Sequence, residues 1–214
     1  DLDLIRLAYD FAEQAHQGQK RLSGVPYIEH PLNVAVTLAE MKLDTSLIVA
    51  GLLHDIPEDT SVTLNEIKKN FGADIASMVE GVTKLGKLKY RGLERYIENL
   101  RKMFVSIAKD VRVIIIKFAD RLHNLKTLDA LPETKRHRVA LESLEIYAPI
   151  ANRLGMGEMK GQIEDYSFKY LNAKEYEWIT ELMTESYKQR KKWMDTIKNI
   201  TQKELRPSHI EIIS

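Results

Sequence analysis

His54 and Asp55 close an apolar run, Leu47-Ile48-Val49-Ala50-Gly51-Leu52-Leu53. A helix that buries Leu47, Val49 and Leu52 loses stability when an imidazole and a carboxylate sit among those side chains, because a buried charge must be paired or coordinated. A divalent cation repairs that cost, so the pair points to metal-dependent hydrolysis. Pro57 then interrupts the helix and Glu58-Asp59 follow, placing two more carboxylates within one turn of the pair.

A lone histidine on an apolar helix is usually a satisfied core residue, so further ligands are needed. His30 opens a second apolar segment, His30-Pro31-Leu32-Asn33-Val34-Ala35-Val36. Proline suits the first turn of a helix, so His30 is expected at a helix start with its ring free. Further on, Asp120, Asn124 and Thr127 fall on one helical face by their i, i+4, i+7 spacing. Two imidazoles and two carboxylates form a mixed nitrogen and oxygen set suited to manganese, iron or zinc, with positions left for water and substrate.

The order His30, His54-Asp55, Asp120 resembles the H…HD…D pattern of the HD-domain phosphohydrolases. The surrounding segments are narrower. Gly18 to Pro31, His54-Asp55-Ile56-Pro57-Glu58-Asp59-Thr60, Val82-Thr83-Lys84-Leu85 and Asp120 to Leu128 are similar to the hydrolase domain of the RelA/SpoT homologues, which turn over the alarmone (p)ppGpp in the stringent response. Glu145-Ile146-Tyr147-Ala148-Pro149 and Asn152-Arg153-Leu154-Gly155 extend the likeness, so it runs unbroken over residues 5–175. The resemblance implies that His30, His54, Asp55 and Asp120 hold one Mn2+ ion, and that Glu58 and Asp59 act on the attacking water. It also implies that Asn124 and Thr127 contact ribose or base. Arg21 and Lys20 lie on an irregular segment with Ser23, Gly24 and Pro26, where a guanidinium can grip pyrophosphate bidentately. Ser23 is a further substrate-binding candidate.

The implied reaction is attack of an activated water on the 3′-pyrophosphate of ppGpp or pppGpp, leaving GDP or GTP and pyrophosphate. Two other readings stay open: an HD phosphohydrolase acting on another nucleotide, and a catalytically silent regulator that binds guanine nucleotides. Relatives that have lost hydrolase activity tend to lose the H…HD…ED residues, and this chain keeps them all. It departs from the pattern at Leu22, where relatives often carry lysine, and at Pro57, where an apolar, often β-branched residue is usual. Without the motif, Lys20 and Arg21 would read as an ordinary solvated cluster. His123 either supports a metal ligand or simply packs. His16 reads as a helix-end residue, and His137 and His209 as surface residues.

Helices must position these groups. Apolar residues recur at helical spacing, as in Leu4, Leu7, Ala8 and Phe11, or Leu64, Ile67 and Phe71, which predicts an all-α HD-domain bundle of about ten helices. Asp44, Thr63 and Glu133 mark helix starts, Thr63 with Glu66 as a capping box, and Gly72, Gly92 and Gly155 mark breaks. The β-branched run Val111 to Phe118 reads as a strand in isolation. It passes without a turn signal into Ala119 to Leu128, so a central buried helix is expected. Residues 85–93 are expected to form a basic loop beside the site.

The chain has 214 residues, 44% hydrophobic, enough to fill a core. Lys and Arg number 32 against 31 Asp and Glu, a net charge of +1, so no global field recruits nucleic acid. The absence of cysteine excludes thiolate zinc sites and disulfides and suits the cytoplasm. No run approaches a membrane span, and no signal peptide is expected. Residues 1–175 are expected to form the hydrolase domain. Residues 176–214 are read as a linker helix leading toward a synthetase domain, with Leu205 to Ile210 similar to the start of that junction.

Overall fold

The computed structural model describes residues 1–86, 101 and 103–205. The chain divides into two compact units, Asp1–Tyr170 and Leu171–Ser214. The first contains α1 (Leu2–Ala15), α2 (Glu29–Glu40), α3 (Thr45–Leu53), α4 (Ile56–Asp59), α5 (Leu64–Phe71), α6 (Ala73–Gly86) and α7 (Val111–Lys126). A helical stretch at 103–109 precedes α7. Then come α8 (Glu133–Glu142), a π-helical segment (Ser143–Tyr147), α9 (Ala148–Arg153) and α10 (Gly157–Leu171). No strand occurs among the described residues, and the all-α expectation holds. The second unit is built on α11 (Ala173–Leu205), a long helix that leaves Trp178, Leu182, Trp193 and Ile197 exposed.

The expected start signals act locally. The Asp44 carboxylate accepts from Leu47 N at 3.0 Å and so caps α3. Thr63 and Glu66 form a complete capping box on α5. Glu133 opens α8 without a side-chain cap, since the preceding Pro132 has none to offer. Gly72, at φ +91°, ends α5 in a conformation that costs a residue with a Cβ.

The strand-like run lies in α7, as expected. Val113, Ile114, Ile116, Phe118, Ala119, Leu122 and Leu125 are all buried, because α7 packs against α2, α3 and α6 and meets apolar neighbours on most sides. Each large side chain buried this way contributes about 1.5–3 kcal/mol. Two glycines permit the close helix contacts. A Cβ on Gly51 would approach Leu38 Cδ1 to 2.6 Å, and one on Gly81 would approach Val113 Cγ2 to 2.6 Å.

Arg121 ties α7 to the run that begins at α8. Its Nη2 donates to Glu142 Oε1 at 2.8 Å and to the Tyr147 hydroxyl at 3.1 Å, and its guanidinium lies 4.3 Å from the Tyr147 ring centroid. One expectation is corrected here: Leu85 and Gly86 belong to α6, whose helical hydrogen bonding carries through them, and are not part of a loop. Residues 87–93 of the expected loop, and 206–210 of the expected junction, lie outside the described residues.

Candidate active site

The metal-type residues come from three helix termini and one helix interior. His54 is the C-cap of α3, and Asp55 is the N-cap of the single-turn helix α4, which carries Pro57 as its second residue. His30 lies in the first turn of α2, and Asp120 lies within α7. Ligand atoms of His30, His54 and Asp55 all fall within 4.8 Å of one another. Asp120 Oδ1 joins them, 3.2 Å from His30 Nε2 and 4.0 Å from His54 Nε2.

Hydrogen bonds behind the two imidazoles turn their Nε2 atoms inward. His54 Nδ1 lies 2.8 Å from the Gly51 carbonyl, which fixes it as the protonated nitrogen because a carbonyl can only accept. His54 Nε2 is buried and has no hydrogen-bond partner, although it lies 3.0 Å from Asp55 Oδ1. A buried nitrogen that faces two carboxylates without an aligned hydrogen bond is what a cation would satisfy, so these residues fit a divalent ion.

His30 is not free as expected: it is buried, and its Nδ1 lies 2.7 Å from His123 Nδ1. The first turn of α2 is roofed by α7, which brings the two rings together. His123 is thereby placed as the partner behind His30. Burial and the nearby His30 and Arg21 push the His123 pKa down to about 4, so its ring is neutral and can accept the His30 Nδ1 proton.

The field in the cluster is strongly anionic. Burial disfavours a charged His54, but Asp55 and then Asp120 outweigh it and raise its pKa to about 9. The same field that holds a proton on this ring would hold a cation, and binding one at neutral pH displaces that proton. Burial likewise opposes ionisation of Asp55, yet His54 and His30 hold its carboxyl well below the usual range.

Asp120 has a partner that the sequence reading did not single out. Lys117 Nζ, on a half-buried side chain that lines the cavity, lies 2.6 Å from Oδ2 of the buried Asp120, while Asn124 Nδ2 donates to Asp120 Oδ1 at 2.6 Å. Burial opposes ionisation of the Asp120 carboxyl, and Lys117, then His30, hold it low all the same. Two fixed donors leave this carboxylate little freedom to rotate.

A cavity of about 480 Å³ opens over the cluster. Its walls include Lys20, Arg21 and Ser23 on one side, His30, Asp55 and Glu58 at the anionic end, and Lys117, Asp120, Asn124 and Thr127 from α7. Leu22 also lines it. Leu128, Leu131 and Val139 supply an apolar stretch. His54 and Asp59 do not line the cavity; His54 lies buried beneath it.

Arg21 reaches across the cavity. Its Nη2 donates to Asn124 Oδ1 at 2.8 Å, and its guanidinium stands 5.7 Å from the Tyr27 ring centroid. The segment that carries it is closed by a bridge between Lys20 and Pro26 and by the Arg21 N–H bond to the Val25 carbonyl at 3.0 Å. Thr127 caps the end of α7, its hydroxyl donating to the His123 carbonyl at 3.0 Å. Asp59 meets the Tyr27 hydroxyl at 2.5 Å through Oδ2, and Gln19 Nε2 donates to its carbonyl at 2.7 Å. His16 is the C-cap of α1, and it is also buried and stacked on Tyr27.

An all-α bundle that gathers two histidines and two carboxylates at the floor of an open cavity marks a helical protein with a candidate metal site. Residues 8–157 match the HD domain model, and the chain belongs to the HD-domain family. Among curated proteins it is similar to a guanosine-3′,5′-bis(diphosphate) 3′-pyrophosphohydrolase of Aquifex aeolicus, 49% identical over 190 residues, 89% of this chain and 27% of that protein. It is 47% identical over 194 residues to the bifunctional (p)ppGpp synthase/hydrolase SpoT of Escherichia coli, covering 90% of this chain and 28% of that one. A GTP pyrophosphokinase of Myxococcus xanthus is 46% identical over 199 residues, 91% of this chain and 26% of that protein. These relatives bear out the resemblance to the RelA/SpoT homologues. The chain spans about a quarter of the length of the curated relatives it matches. A solved structure described as a metazoan ortholog of SpoT shares the fold, with a TM-score of 0.54 over 77% of this chain and 85% of that one at 24% identity.

Proposed function

We propose that this chain hydrolyses the 3′-pyrophosphate of ppGpp or pppGpp, giving GDP or GTP and pyrophosphate, with one Mn2+ ion held by His30, His54, Asp55 and Asp120. The observation that carries the reading is the cavity itself: an anionic His/Asp end faces the cationic wall of Lys20 and Arg21 across a space of nucleotide size. The similarity to proteins named for this reaction selects the substrate.

The ion, when bound, polarises the phosphoryl group and lowers the pKa of a water toward neutrality. The chain's own residues do the rest. Lys20 and Arg21 grip the pyrophosphate and offset the negative charge that develops on it. Glu58 and Asp59 orient the attacking water and accept its proton. Asn124 and Thr127 address the ribose with Ser23 on the opposite wall, and Leu128 and Leu131 offer an apolar surface to the base.

In this reading residues 1–175 form the hydrolase domain and 176–214 a linker helix toward a synthetase domain, as befits relatives about four times as long, and the chain works in the cytoplasm. No helix among the described residues is long and apolar enough to cross a membrane.

The test is incubation with ppGpp and Mn2+, with and without EDTA, following GDP and pyrophosphate by anion-exchange chromatography. Metal-dependent release of both is expected, and Asp55→Asn should lose at least about 100-fold in rate with its helical circular dichroism unchanged. Turnover that survives metal stripping, or intact ppGpp in a folded, Mn2+-loaded sample, overturns the reading.

A further inference from the structure

Asp59 ends a helix of four residues and is exposed, four residues beyond a second carboxylate, Asp55. Nothing in so short a helix fixes such a side chain, and repulsion between like charges at this spacing favours rotation into solvent. The segment between α1 and α2 opposes that rotation at two points. Gln19 Nε2 donates to the Asp59 carbonyl at 2.7 Å, and the Tyr27 hydroxyl contacts both carboxylates, at 2.5 Å from Asp59 Oδ2 and 2.9 Å from Asp55 Oδ2.

Tyr27 is itself held on several sides. Its ring stacks on buried His16 with centroids 4.5 Å apart and planes 19° apart, and its N–H donates to the Gln19 carbonyl at 3.0 Å. His16 Nδ1 in turn lies 2.9 Å from Gln19 Oε1, which leaves the Gln19 amide nitrogen aimed at Asp59. Gln19, His16 and Tyr27 therefore form one braced unit whose two outward donors both end on Asp59.

We propose that Tyr27 is a positioning residue: its hydroxyl bridges Asp55 and Asp59 and holds the Asp59 carboxylate in one rotamer beside the site. The inference rests on the hydrolase reading for the role of Asp59, and on geometry alone for the bridge. A hydroxyl carries one proton and donates to one carboxylate at a time, so its loss disturbs both the acid/base carboxylate and the ligand Asp55.

Tyr27→Phe keeps the ring on His16 and removes only the bridge. Its expected effects are a kcat about 10–100-fold lower at saturating Mn2+, a KM for ppGpp within twofold of the wild type, and Mn2+ binding weakened roughly tenfold by titration calorimetry. If Tyr27 lowers kcat through Asp59, the double variant Tyr27→Phe/Asp59→Asn is no slower than Asp59→Asn alone at saturating Mn2+, where the weaker hold of Asp55 on the ion is offset. Losses that multiply in the double variant, or a single variant with kcat and Mn2+ Kd both within twofold of wild type, overturn the proposal. A wild type that binds Mn2+ but leaves ppGpp intact overturns the hydrolase reading instead, and the calorimetric Kd of Tyr27→Phe then decides the bridge by itself.

Discussion

At the scale of single residues, the site is an arrangement of charges that constrain one another. Lys117 is the clearest case, a half-buried ammonium 2.6 Å from the buried Asp120, held protonated against its partial burial by that carboxylate. Removing one partner of a buried pair costs about 3–5 kcal/mol, because the remaining charge is left uncompensated. Lys117→Met should therefore lose stability of that order in metal-free protein. Saturating Mn2+ should recover part of the loss, since the ion supplies positive charge to the same carboxylate. Equal losses with and without Mn2+ in thermal melts would refute this. Much of the site was legible in the sequence at this scale, because a His-Asp pair ending an apolar run conflicts with burial and the conflict is visible in one dimension. Lys117 was not legible, since a lysine three residues before an aspartate looks the same whether the pair is buried or on the surface. Tyr27 and Gln19 were missed for a related reason: their role depends on Asp59, some 30 to 40 residues away.

At the scale of elements, helix spacing governs the geometry. Gly81→Ala forces a methyl against the β-branched Val113, which has little rotamer freedom with which to yield, so α6 and α7 must separate. Overpacking of this kind costs about 1–3 kcal/mol, more than alanine recovers in helix propensity, and a lowered melting temperature is expected. Arg112 joins the same two helices, donating to Asp74 on α6 and to the α7 N-cap Asp110. Its hydrogen bonds hold the Asp110 carboxyl below its ordinary range. A depressed carboxyl contributes stability above the unfolded value of about 4, and that contribution is lost as pH falls through the lower folded value. Arg112→Ala should thus cost about 1 kcal/mol at pH 7, this being a partly exposed cluster. The gap between wild type and variant should close below about pH 4 in melts across pH; a gap that persists at pH 2 would count against the mechanism. Caps and glycine breaks at this scale were readable because their chemistry is local. The π segment at Ser143–Tyr147 was not, because Ser-Leu-Glu-Ile-Tyr is as compatible with an α-helix, and the wider turn serves to present Tyr147 to Arg121.

At the scale of the whole molecule, the four proposed ligands lie on or at the ends of α2, α3, α4 and α7, all within the first compact unit. An ion bound there cross-links parts of the chain far apart in sequence, and it binds the folded state alone. At 100 times its dissociation constant it should add about 2.7 kcal/mol, which raises the melting temperature by roughly 5–10 °C over EDTA-treated protein. Scanning calorimetry of the two samples is the check, and identical transitions would argue against an ion at this site. The Lys117–Asp120 pair also bears on synthesis. His30 leaves the ribosome about 90 residues ahead of Asp120, a delay of roughly 5–20 s at ordinary elongation rates. Through that interval the nascent chain carries two imidazoles and Asp55 but not the last carboxylate. Lys117 and Asp120 emerge within one turn of the same helix, so the carboxylate proposed to complete the site arrives with its cation beside it. Packing α7 onto the waiting helices can then precede any encounter with metal.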